Sequence, residues 1–188
     1  MSVKPTRSLA ELKGRKAWMP EGDVVGKAIL EAAGLSPVPL PLSDVLTGLQ
    51  TGLVDTVAGP PVGAVALQWF TKTRSLTPVP IVYTYGALVL SSKAFDKLAP
   101  ADRDIVRDVL AGVTRDLDAR AREDNKGARE ALVAQGVQVV EASPEFEREW
   151  QRVAATANAK LAEVLPIDAT LRAAVATRLA AIRSGTGS

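Results

Sequence analysis

The sequence contains no cysteine and no histidine among its 188 residues. The first absence excludes disulfides and thiolate chemistry, and the second excludes imidazole bases and imidazole metal ligands. A cysteine-free chain suits an oxidising compartment as well as a reducing one, so cysteine usage does not fix location. Aromatic residues make up only 4% of the chain, which leaves Ala, Val and Leu to fill the core and favours helices over an aromatic-rich sandwich. No apolar run is long enough to span a bilayer as a helix, and the opening MSVKPTRSLAELKGRK lacks the apolar centre of a secretory signal. The chain as written is therefore expected to stay where it is made. Charge of one sign is also scarce: 23 Lys and Arg stand against 21 Asp and Glu, a net +2, too little for a nucleic-acid surface. The isoelectric point near 9.0 reflects missing buffering groups between the carboxylates and the lysines.

What is present is a 47% hydrophobic chain, able to bury an ordinary core. Its first hundred residues alternate short β-type and helical runs. Lys16 to Met19 reads as a strand ending at Pro20, and Asp23 caps a helix through Val25, Ala28 and Ile29 that stops at Gly34. Ser36 to Leu40 is held extended by its prolines, and Ser43 is expected to cap a helix carrying Val45, Leu46 and Leu49 to a stop at Gly52. A third strand spans roughly Val54 to Ala58, and Gly59-Pro60-Pro61 opens another helix toward Trp69. This order implies parallel pairing with right-handed crossovers.

Ser75 to Ser91 is the most β-rich stretch and reads as near-continuous buried strand. From Pro100 to Gln135 apolar residues recur at helical spacing, with Asp116 to Arg120 and Asp118 to Arg122 as favourable pairs on the wet face. A short strand at Val137 to Val140 follows, then a helix from Ser143-Pro144 with Phe146, Trp150, Val153, Ala157, Leu161 and Val164 on one face, and a last helix capped by Asp168.

Four ordered pieces resemble the solute receptors of TRAP-type transporters (the DctP-like family). They are LKGRKAWMP at Leu12 to Pro20, PVPLPLSDVLTGLQTGLVD at Pro37 to Asp55, GALVLSSKAFDKLAPADR at Gly86 to Arg103, and the long charged helix closing in QGVQVV at Gln135 to Val140. Together they cover about Leu9 to Leu165, and the middle piece is the most specific. The resemblance implies an α/β, periplasmic-binding-protein-like fold: a parallel or mixed sheet flanked by helices, with a long helix spanning two lobes. It implies residues 1–75 as a nearly complete second lobe carrying the ligand-cleft motifs, 76–141 as returning strands and inter-lobe helix, and 142–188 as C-terminal helices. The function implied is extracytoplasmic binding of a small organic acid and its delivery to TRAP membrane subunits, with no cofactor, no metal, no catalysis and no nucleic acid. Receptors of this family carry a signal peptide and an opening lobe ahead of the LKG motif, so the chain is expected to be an N-terminally truncated receptor. Oligomeric state is not readable.

Two departures from the family pattern bear on chemistry. Trp18 stands where the carboxylate-binding arginine is usual, and an indole with one N–H cannot reproduce a guanidinium's two parallel bonds. Gly59 replaces a polar residue. Trp18, Gly22-Asp23 and Pro60-Pro61 together fit a tryptophan branch of the family.

The candidate ligand-binding residues are thus Trp18, Glu21, Asp23, Leu42, Gly59, Pro60 and Tyr85. Trp18 either lines a cleft at the end of its strand or belongs to the core. Asp23 is explained as a cap, whereas Glu21 is free to meet a ligand hydroxyl or amine. Gly59-Pro60 either presents helix N–H groups to an anion or forms a plain turn. Tyr83 and Tyr85 share a strand face, and the resemblance favours Tyr85 as a ligand contact. Leu42 enters through its place in the middle motif. Gly22 to Ala28 is one residue short of a phosphate loop and lacks its Ser or Thr. The carboxylates from Asp102 to Glu130 form no metal pattern, and the cluster Lys4, Arg7, Lys13, Arg15 and Lys16 marks a surface that meets water or a missing lobe. The rival classes are an α/β enzyme working through carboxylates, Ser or Lys, and a half-receptor without activity of its own.

Overall fold

A computed structural model describes residues 1–82 and 86–185. Its elements in chain order are α1 (Leu9–Leu12), β1 (Lys16–Met19), α2 (Val24–Ala32), β2 (Ser36–Pro39), α3 (Val45–Thr51), α4 (Pro61–Ala66), β3 (Ser75–Leu76), α5 (Ser92–Phe95), α6 (Pro100–Ala134), β4 (Gln138–Val139), α7 (Pro144–Val164) and α8 (Ala169–Arg183).

β1 and β2 pair in parallel with Trp18 opposite Val38, and β3 and β4 pair in parallel with Ser75 opposite Gln138. The two pairs are joined through the extended segments 54–57 and 1–3. Trp18 N–H donates to Thr56 O and Asp55 N–H to Lys16 O, both at 2.9 Å, which sets 54–57 beside β1. On its other side Val57 N–H donates to Met1 O at 2.9 Å, and Ser2 and Ser75 exchange backbone bonds of 3.0 and 3.2 Å. The sheet therefore runs β2, β1, 54–57, 1–3, β3, β4. It is parallel except at Ser2, whose bridges to Thr56 and Ser75 are antiparallel.

Helices cover both faces. Strand alternation sends Ala17 and Met19 to one side, where they join Leu12, Leu30, Leu35, Phe146, Trp150 and Val153 under α1, α2 and α7. Trp18 and Val38 turn to the other side, against a core of Val45 and Leu49 of α3, Val54 and Val57 of the extended segment, Ala64 of α4, Trp69 and Leu132 of α6. Leu132 has no exposed surface and anchors the C-terminal end of α6.

Local chemistry explains most boundaries. The Asp23 carboxylate accepts Gly26 N–H at 2.9 Å, Ser143 Oγ accepts Phe146 N–H at 3.1 Å, and Asp168 accepts Leu171 N–H at 2.9 Å. Gly52 ends α3 at φ 73°, the left-handed conformation a Cβ would disfavour.

Three expectations are corrected. Ser43 does not cap α3: the chain leaves Pro41 extended, winds the tighter turn Leu42–Asp44 first, and Ser43 Oγ donates instead to Asp44 Oδ1 at 3.1 Å. The run Ser75 to Ser91 is strand only at Ser75–Leu76 among its described residues. Pro78 and Pro80 remove ladder donors, and Leu88, Val89 and Leu90 lie exposed with no neighbouring strand among the described residues. The pairs Asp116 to Arg120 and Asp118 to Arg122 are not formed; the ion pairs among the described residues are Lys27–Glu31, Arg107–Asp104 and Arg129–Glu141. In α8 the residues Leu171, Val175, Leu179 and Ile182 are exposed.

α6 is a 35-residue helix, about 52 Å long at 1.5 Å per residue. Its buried residues, Ala128 and Leu132, lie near its C-terminal end where α4 packs. Ile105, Val109, Val113 and Leu117, toward its start, are exposed.

Candidate functional site

In an open parallel sheet ligands meet the carboxyl ends of the strands. In this chain that rim is built by the end of β1, the end of β2 and the turn after 54–57. Trp18 stands one residue before the end of β1 and is half-buried. Its indole N–H donates to Leu40 O just beyond β2, at 3.0 Å. Its ring meets Trp69 edge to face, 5.4 Å between centroids and 62° between planes. The single donor of Trp18 is thus spent within the protein, and what the residue offers outward is aromatic surface.

Gly59 belongs to the same structure. A Cβ built there would lie 3.2 Å from Cζ3 of Trp69, so the Trp69 ring occupies the space a side chain at position 59 would need. Trp69 itself is 3% exposed, and its buried indole N–H has no acceptor.

Pro60 precedes α4, with Pro61 as its first residue. Neither proline has an N–H to give. The N–H of Val62 is donated to Asn125 Oδ1 on α6 at 3.3 Å, and that of Ala64 to Pro60 O at 3.2 Å. Little of this helix end remains for an anion.

Glu21 lies exposed in the turn after β1, where Gly22 takes φ 75°. Asp23 is engaged as the cap of α2, and a Cβ at Gly26 would run into its carboxylate. Leu42 is exposed in the turn that precedes α3. Tyr85, with Tyr83, lies outside the described residues.

The structure thus brings Trp18 and Gly59 together through Trp69 and adds Leu40 as the acceptor. It places Glu21, Asp23 and Leu42 in the loops flanking that pair. Sequence reasoning missed Trp69, Leu40 and Asn125 as parts of the site. The one available signal was that Trp69 is one of three tryptophans in an aromatic-poor chain. Among the described residues no group of three or more acidic side chains is arranged to hold a metal ion.

The family model described as bacterial extracellular solute-binding protein, family 7, matches residues 1–164. The chain belongs to this family. It is 27% identical over 140 residues to a solute-binding protein of Verminephrobacter eiseniae, covering 74% of this chain and 42% of that one. A TRAP periplasmic solute binding protein from Bradyrhizobium sp., solved with bound α/β-D-galacturonate, is 26% identical at a TM-score of 0.75 and covers 92% of this chain and 55% of its own. The corresponding protein from Shewanella oneidensis, solved with bound succinate, shares the fold at a TM-score of 0.77 and 22% identity, covering 86% and 53%. The chain spans about half the length of these solved TRAP periplasmic solute binding proteins. The α/β binding-protein fold expected from the motifs is the fold observed. α8 lies beyond the matched residues.

Proposed function

We propose that this chain supplies the second lobe of a periplasmic receptor that binds a small organic acid and presents it to the membrane subunits of a TRAP-type transporter, without catalysing a reaction. The observation that carries the reading is the family 7 match over residues 1–164, with Trp18 and Gly59 at the strand ends where ligands of open α/β sheets sit. Residues 1–75 form the ligand-facing lobe, 76–141 the return toward a second lobe and the long helix, and 142–188 the C-terminal helices. Solved relatives that hold galacturonate and succinate support an organic acid as the ligand class. Trp18, Glu21, Asp23, Leu42, Gly59, Pro60 and Tyr85 are the residues assigned to the cleft wall. Ligand binding would favour a closed two-lobe state, the form a membrane partner reads.

A second reading, in which the 188-residue chain alone is inactive until another lobe covers it, is favoured by the exposed apolar residues Ile105, Val109, Val113 and Leu117 on α6. Both are tested by thermal unfolding of this chain alone and of the chain joined behind an N-terminal lobe of the family, against mono- and dicarboxylates, sugar acids and aromatic acids. Stabilisation of the joined protein alone supports a receptor that needs both lobes. Stabilisation of neither by any acid overturns the receptor reading.

A further inference from the structure

α8 follows the last residue matched by the family model and buries none of its own residues. Its start is well defined: Asp168 accepts Leu171 N–H at 2.9 Å, and Arg172 Nη1 donates to Ala162 O of α7 at 3.4 Å. At about 3.6 residues per turn, Leu171, Val175, Leu179 and Ile182 share an arc of about 80°. All four are exposed, Leu171 at 58% and Val175 at 52%. Arg178 borders that arc on one side, and Arg172 and Arg183 border it on the other. The remaining face is made of Ala and Thr alone, and no Asp or Glu follows Asp168 in the sequence.

This charge pattern selects among occupants. A second copy of α8 would bring arginine against arginine, with no carboxylate in either helix to relieve the repulsion. The exposed aliphatic residues of α6 are set differently, because Ile105, Val109, Val113 and Leu117 are interspersed with Asp and Arg alike. On α8 the flanking charge has one sign. An anionic lipid surface answers both features: the aliphatic edge enters the acyl boundary, while guanidinium groups on flexible stems at either side stay at the level of the phosphates.

We propose that α8 is a docking surface for an anionic phospholipid membrane. The helix lies in the interface plane with Leu171, Val175, Leu179 and Ile182 turned into the lipid and Arg172, Arg178 and Arg183 over phosphate groups. With one short stripe and three cations, the attachment is reversible and weakened by salt. It does not rest on the solute-receptor reading, because no residue assigned to the ligand cleft takes part.

The test uses the 188-residue chain. It has no cysteine, so Val175→Cys on the stripe and Ala173→Cys on the opposite face each carry an environment-sensitive fluorophore at a single place. Both positions are exposed, and far-UV circular dichroism checks that the helix is kept. The labelled chains are titrated with vesicles of phosphatidylglycerol and phosphatidylcholine in equal parts, and of phosphatidylcholine alone, at low and high salt. The expected result is a saturable blue shift of the label at position 175 with the anionic vesicles and none at position 173. Binding should be at least about tenfold weaker to phosphatidylcholine alone, and equally weakened when Arg172→Gln, Arg178→Gln and Arg183→Gln are combined. Co-sedimentation of the unlabelled chain reads the same comparison without a change on the stripe. No binding to anionic vesicles at low salt, as for a stripe reserved for an acidic protein, would overturn the proposal. So would an equal shift at both positions, binding indifferent to the three arginines, or a shift at position 175 that grows with protein concentration without lipid, the mark of a second copy.

Discussion

The indole of Trp18 meets the ring of Trp69 edge to face at 5.4 Å, while its own N–H is held by Leu40 O at 3.0 Å. The carboxyl end of β1 therefore presents aromatic surface, with the Trp18 indole donor already spent on a backbone carbonyl.

Replacing Trp18 separates the ring from the hydrogen bond. Trp18→Phe keeps an aromatic face but loses the bond to Leu40, and should cost about 1–2 kcal/mol in urea unfolding. Trp18→Arg loses both and sets a charge against the core of α3 and α4, a cost of about 2–4 kcal/mol. In the lobe-completed protein the same change should move ligand preference toward carboxylates. An Arg variant as stable as the parent would show that the indole is not held as described.

At Gly59 the prediction is steric. A methyl group would press on Trp69 at 3.2 Å, so Gly59→Ala should destabilise by about 0.5–1.5 kcal/mol. The penalty should shrink when Trp69 is replaced by Leu. A double-mutant cycle in unfolding free energy measures that coupling, and additive effects would contradict it.

Leu132 joins the long helix to the sheet core and has no exposed surface. Leu132→Ala should cost about 3–5 kcal/mol, whereas Val109→Ala, on the exposed part of α6, should change stability by no more than about 0.5 kcal/mol in this chain. Chemical denaturation of the two variants distinguishes the anchored end of the helix from the free one.

The Met1 amine sits within the sheet and donates to Val57 O at 2.7 Å. Burial lowers its pKa from 8.0 to about 6. Between these values the unfolded chain carries a proton that the folded chain has released, so this group makes stability rise with pH across that window. The penalty is fully present below about pH 6 and gone above about pH 8, a change of roughly 2–3 kcal/mol. Unfolding measured at pH 5.5, 7 and 8.5 should show the rise, and acetylation of the amine should remove this component of it.

Local signals in the sequence located β1, β2, the caps Asp23, Ser143 and Asp168, the stop at Gly52 and the extent of α6, because each depends on neighbours within a few residues. The run after Leu76 was not legible in this way. Its β-branched residues satisfy a strand propensity, but Pro78 and Pro80 interrupt the ladder and, among the described residues, no strand lies beside Leu88 to Leu90. Propensity cannot supply a partner. The site shows the same division. Trp18, Glu21 and Gly59 stood out at strand ends, while the bond from Trp18 to a carbonyl 22 residues away and the approach of Trp69 to Gly59 arise only when the sheet forms.

The central claim is that ligands bind at the rim carrying Trp18 and Gly59. It is tested most directly by 15N-resolved titration of this chain, joined behind an N-terminal lobe of the family, with succinate, galacturonate and aromatic acids. Saturable movement of the Trp18 indole and Gly59 amide signals with at least one acid, weakened by Trp18→Phe, is the expected result. Saturable binding that leaves both signals in place, or no binding by any acid, would contradict it.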